Sequence, residues 1–196
     1  MSVPFIRLSA AGAALLALAT GPAAAHTGSA PVMGFVSGFL HPFSGLDHVL
    51  AMVAVGVLAA LIGGRALWLV PASFLGAMVV GSALGFSLPF VELGIVASVI
   101  VLGAAVALAP RMPVALAMAL AAAFAVFHGH AHGAEMPAAA SALSYGLGFV
   151  SATALLHLVG MGGGLAAERL SHGAGRIALR AGGGVIAALG LVLFLV

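Results

Sequence analysis

The sequence predicts an all-α, polytopic integral membrane protein with six transmembrane helices after a cleavable N-terminal signal peptide. Three observations carry this. The composition is 64% hydrophobic and only 5% charged. A soluble domain carries roughly 25% charged residues, so this chain cannot cover a water-facing surface. Apolar runs near the ~20 residues needed to span a bilayer recur along it. Short stretches rich in Gly, Pro and Arg punctuate those runs.

Residues 1–25 read as a secretory signal. Arg7 supplies a positive n-region, Leu8 to Thr20 form an apolar h-region too short to span, and Ala23, Ala24 and Ala25 offer a small-residue cleavage site before His26. Residues 26–196 form one transmembrane domain, with spans at about 43–62, 66–86, 90–109, 114–132, 140–166 and 177–196. The run 32–40 is apolar but short. Continued to Ile62 as one helix, it would far exceed a ~30 Å hydrocarbon core. Pro42 disfavours helix at His41 and suits the first position of a new one. The expectation is a short helix, a break at His41-Pro42, then the first span.

Arginine position sets the orientation. Arg65 lies in the first connection, Arg111 in the third, and Arg169 with Arg176 in the fifth, whereas the second and fourth carry Glu92 and Glu135. The positive-inside rule makes the odd connections cytoplasmic. A multi-pass membrane protein follows, with the mature N-terminus and the C-terminus on the outer side, which is the periplasmic side for a bacterial inner membrane.

Several function classes drop out. No Cys is present, which removes thiolate metal sites and Cys nucleophiles. Six scattered arginines and no lysine make no basic patch for nucleic acid. There is no Gly-x4-Gly-Lys-Ser/Thr loop, so this chain does not itself hydrolyse ATP. There is no His-Glu-x-x-His motif, and Ser44 has no nucleophile setting. An enzyme is not expected, although an intramembrane metal-dependent hydrolase stays open as an alternative. No prosthetic group is expected. The partners are the lipid bilayer and a divalent metal ion. A homo-oligomer or a metallochaperone partner stays open.

The metal expectation comes from ionisable residues in apolar segments, which are costly unless used. One stretch holds His41, Asp47 and His48, with Met52 four residues past His48 on the same face. The other holds His128, His130, His132 and Glu135. His128 and His132 are four apart and share a face, Glu135 follows on that side, and His130 points elsewhere, toward water as an entry ligand. A solvated His-rich loop binding metal adventitiously is the plainer alternative for this second stretch. Topology places both stretches at the outer face, so Asp47 and His48 should lie within metal-bridging reach of His128 and His132. Imidazole with carboxylate suits Ni²⁺, Co²⁺ or Zn²⁺. His157, with Met161 four residues on, is a candidate second station. His26 would offer an amine and an imidazole after cleavage.

With both motifs in order, the sequence resembles the HupE/UreJ family of nickel permeases, accessory to nickel-containing hydrogenase and urease. That family carries His-x5-Asp-His, here His41, Asp47 and His48. It also carries Phe-His-Gly-x-Ala/Val-His-Gly-x-Glu, here Phe127, His128, Gly129, Ala131, His132, Gly133 and Glu135. The resemblance implies import of Ni²⁺, or of Co²⁺, as transported substrate, and metal-binding roles for these residues. His130 fills an unspecified motif position and inherits no role. The ion is expected to meet His128, His132 and Glu135 first, helped by His130 or His26, and then His41, Asp47 and His48.

Overall fold

The structure, a computed structural model, describes residues 30–84, 86–108, 112–138, 140–170 and 173–195. The signal-peptide reading and His26 lie outside the described residues. Helix α1 spans Ala30–Leu40 and runs into a 3₁₀ turn, His41–Ser44. Then come α2 (Leu46–Ile62), α3 (Ala66–Ser82), α4 (Val91–Leu108), α5 (Val114–Ala134), α6 (Ala142–Leu170) and α7 (Ala174–Leu195). No strand occurs among the described residues. In a chain this apolar, the helix satisfies every backbone polar group within one segment, and Ala, Leu and Met favour it intrinsically.

Among the described residues, four helices are long and apolar enough to cross a bilayer: Val91–Leu108, Val114–Ala134, Ala142–Arg169 and Ala174–Leu195. A fifth crossing is available if Gly34–Ser44 and Leu46–Ile62 form one span, bent by 86° at Gly45. Helix α3 is apolar but only 17 residues long, or about 25 Å. The outward side chains are hydrophobic, among them Trp68, Val80, Leu158, Ile177 and Val192. Water would not tolerate so much apolar surface, and lipid does. The chain is a multi-pass membrane protein.

Several boundaries differ from the sequence reading: α6 runs to Leu170, not residue 166, α7 begins at Ala174, not residue 177, and two more bear on the site. Helix α2 begins at Leu46, not at residue 43, because His41–Ser44 wind as a 3₁₀ turn and Gly45 is extended (φ −111°, ψ 121°). The Ser44 hydroxyl closes that turn by donating to the His41 carbonyl (2.6 Å). Helix α3 ends at Ser82, not residue 86, and the chain then turns so that the Leu88 N–H meets the His130 ring (3.2 Å).

The helices associate through small residues. A Cβ on Gly56 of α2 would strike the His157 carbonyl of α6, and one on Gly160 of α6 would strike the Val53 carbonyl of α2. These two helices therefore run parallel, backbone against backbone, as apolar helices in lipid do where small residues permit. Helices α3 and α5 form a second such pair, with Gly81 at Val126 and Gly129 at Met78. Helix α7 packs antiparallel on α4, and α1 packs on the first turns of α6. Met52, Val55, Leu58, Phe74, Met78, Val99 and Leu102 fill the core between them. The buried face of α5 is the stripe Ala117, Ala121, Ala125, His128, His132. At spacings of three and four, that face turns from small and apolar to imidazole over its last two turns.

Candidate metal centre

The start of α2, the end of α5 and the first turns of α6 meet at one end of the bundle. There the described residues form two groups of three whose potential ligand atoms lie within 4.8 Å of one another. One is His48, His128 and His132; the other is His41, His132 and Glu135. His132 belongs to both. The rings are continuous: centroids are 4.7 Å apart for His41–His132, 4.6 Å for His132–His48 and 4.8 Å for His48–His128.

The two groups differ in access. Glu135 is 53% exposed and His41 26%, whereas His128 and His132 are fully buried. His41 Nε2 and Glu135 Oε2 are 2.8 Å apart. Ligand atoms of a tetrahedral site with bonds of about 2.1 Å lie about 3.4 Å apart, so a cation fits between these two after a small separation of the side chains. Glu135 caps the C-terminal end of α5 and His132 lies in its last turn. The unpaired carbonyls of a helix C-terminus favour positive charge there.

The first-turn residues of α2 act as a unit. Asp47 Oδ1 accepts from the His48 backbone N–H and stands 2.8 Å from His48 Nδ1. A carboxylate only accepts, so Nδ1 carries the ring proton and Nε2 keeps its lone pair. Nε2 is buried without a hydrogen-bond partner. This is the carboxylate–histidine arrangement that orients metal ligands. Asp47 is in neither group of three, and its hydrogen-bond contacts are with His48. A Cβ on Gly45 would meet Asp47 Oδ1 and His48 Nδ1, so the motif glycine leaves room for the pair.

The unpartnered buried side-chain atoms make the strongest statement. Among the described residues they are His48 Nε2, His128 Nδ1, both nitrogens of His132, both nitrogens of His157, and the Tyr145 hydroxyl. Each costs about 1–3 kcal/mol if nothing binds it. Apart from Tyr145 they are all imidazole nitrogens, and four of the six belong to one group of three. A borderline divalent cation satisfies the one lone pair that each neutral imidazole carries, without adding bulk.

The remaining candidates divide. His157 is buried on α6, its ring 5.1 Å from Phe74, which also faces His128 at 5.6 Å. Phe74 thus contacts both His157 and one of the clustered imidazoles. Met161 is buried one turn beyond His157, and Met52 is buried in the core below His48. His130 is partly exposed, and its Nε2 accepts from Leu88 N–H, which ties α5 to the α3–α4 connection. Sequence reasoning missed Ser98, Phe74 and Tyr145. Ser98 is a fully buried hydroxyl beside His128, and the Tyr145 ring lies tilted beside His41 at 6.0 Å. A lone hydroxyl in the apolar stretch of α4, and the chain's single tyrosine, were the available signals. An apolar cavity of about 340 Å³ between α3 and α6 reaches His132 from the side.

The grouping also re-sorts the motifs. His41 leaves its sequence neighbours for Glu135, while His48 joins His128. Each group draws on both motifs. The chain matches the family described as HupE / UreJ protein over residues 14–193. Protein HupE of Rhizobium leguminosarum bv. viciae is 44% identical over 163 residues, which is 82% of this chain and 84% of that protein. No solved structure matches. A match across nearly the whole length, with both motifs meeting at one centre, places the chain in the HupE/UreJ family, hydrogenase and urease accessory proteins that transport nickel or cobalt.

Proposed function

We propose that this protein is a secondary transporter that imports Ni²⁺ across the inner membrane and supplies it for hydrogenase or urease maturation. In this reading α2 to α7 supply six spans, the short α3 included. The histidine end faces the periplasm, and so do both mature termini. The observation that carries the reading is the pair of three-residue groups sharing His132, one partly exposed and one buried.

The ion arrives hydrated at Glu135 and His41. The carboxylate offsets positive charge as water is stripped, and His132, a member of both groups, then takes up the ion. The buried station follows, where His48 and His128 complete the imidazole set and Asp47 supplies the second negative charge. Neutral imidazoles favour Ni²⁺ or Co²⁺ over Mg²⁺ and Ca²⁺, which prefer oxygen. Each group offers three ligand atoms, one short of the four that close a tetrahedral site. The cargo is accordingly held loosely enough to leave. His157, in contact with Phe74, is the next imidazole inward.

The test is ⁶³Ni²⁺ uptake into proteoliposomes. His132→Ala removes the shared member and lowers uptake about tenfold or more. Excess Co²⁺ competes and excess Mg²⁺ does not. Wild-type uptake by His132→Ala overturns the route.

A further inference from the structure

We propose that Ser98 is a positioning residue, whose hydroxyl fixes the tautomer of His128 and so makes Nδ1 the atom offered to the transported cation. The inference rests on reading His48, His128 and His132 as a metal station, and it brings α4 into a site built otherwise from α2 and α5.

Ser98 is fully buried. Its Oγ lies 2.6 Å from the Ile95 carbonyl and 2.9 Å from His128 Nε2. A serine has one hydroxyl hydrogen. Two oxygens 2.6 Å apart repel unless a proton lies between them, so that hydrogen points at Ile95. Oγ is then left with acceptor lone pairs only, and the short contact to Nε2 requires the proton to come from the imidazole. A neutral imidazole with its proton on Nε2 has a bare Nδ1. Nδ1 is the His128 nitrogen that is buried without a partner, and the His128 ring faces His48.

The logic mirrors Asp47 and His48 with the nitrogens exchanged. Asp47 holds the proton on Nδ1 of His48 and frees Nε2; Ser98 holds the proton on Nε2 of His128 and frees Nδ1. Each ligand is oriented by a partner on the side away from the ion, as outer partners of metal-bound histidines do. Without the hydroxyl both tautomers of His128 compete, and the one protonated on Nδ1 presents a hydrogen where the cation needs a lone pair.

The experiment uses the full-length protein in detergent, labelled with ¹⁵N-histidine, and Ni²⁺ itself as the binding probe. In metal-free wild type, the His128 resonances, assigned by their loss in His128→Gln, are expected to show the proton on Nε2. Ser98→Ala is expected to shift that population toward Nδ1–H and to weaken Ni²⁺ binding 10- to 100-fold. Ser98→Thr, which keeps the hydroxyl, restores the Nε2–H signature. A wild-type spectrum with the proton on Nδ1 overturns the proposal whatever the variants do. Equal Ni²⁺ affinity in wild type and Ser98→Ala overturns it as well. Wild type that binds no Ni²⁺ sinks the transport reading instead, and the spectrum still decides the tautomer.

Discussion

Asp47 shows how much a single side chain depends on its neighbour here. Its carboxylate is about one-fifth exposed, sits in the first turn of α2 and is favoured there by the positive end of the helix dipole. A cation placed on His48 is disfavoured by that same end, and the Asp47 charge offsets this. Asp47→Asn keeps an acceptor oxygen but removes the charge and adds an amide that competes for the same position. Ni²⁺ affinity of the purified protein, measured by titration calorimetry, is expected to fall 10- to 100-fold with the melting temperature little changed. Equal affinity in the variant means that the carboxylate neither orients nor balances charge. Asp47, His48, His128 and His132 were legible in the sequence because ionisable groups are rare in so apolar a chain. Their grouping was not. Chain neighbours suggest His41 with His48, but the 3₁₀ turn and the 86° bend carry His41 to Glu135. Ser98 and Tyr145 stayed silent because a hydroxyl on an apolar helix commonly bonds its own backbone, as Ser98 also does with Ile95.

The helix pairs decide whether those residues meet at all. Gly129 follows His128, and a Cβ there would run into the Met78 carbonyl of α3. The glycine therefore sets how closely α5 approaches α3, and with it how deep His128 sits. Gly129→Ala forces the two backbones apart, which costs about 1–3 kcal/mol as overpacking does, and it lowers the melting temperature and Ni²⁺ uptake together. Gly146→Ala on α6 is the control, since nothing lies within 4 Å of a Cβ there; its melting temperature should hold or rise slightly, as helix propensity favours Ala. Equal stability of both variants would show that α3 and α5 are not in backbone contact. The sequence announced these helices through length and punctuation, and it announced the break at Pro42. It did not announce where α2 restarts. Pro42 fits the first turn of a 3₁₀ or an α-helix equally, and Gly45 is needed only once Asp47 and His48 fold back over it.

At the scale of the molecule, the two ends of the bundle differ in chemistry. One holds Glu135 and the clustered imidazoles. At the other, Arg176 pairs with Glu168 at 3.4 Å and Arg180 donates to the Ala107 carbonyl at 2.7 Å. Arginines near helix ends favour the cytoplasmic side, so the proposed orientation puts the imidazoles outside. The absence of cysteine from the chain makes this directly measurable, since any introduced thiol is the sole site of labelling. Ala138→Cys lies between α5 and α6 at the histidine end, and Gly173→Cys lies between α6 and α7 at the arginine end; both positions are exposed. In intact cells with a permeable outer membrane, a membrane-impermeant maleimide is expected to label Ala138→Cys fully and Gly173→Cys only after lysis. The ion would then meet Glu135 and His41 before the buried imidazoles, which is the order import requires. The reverse labelling pattern would make the partly exposed group the exit and the same residues an efflux route.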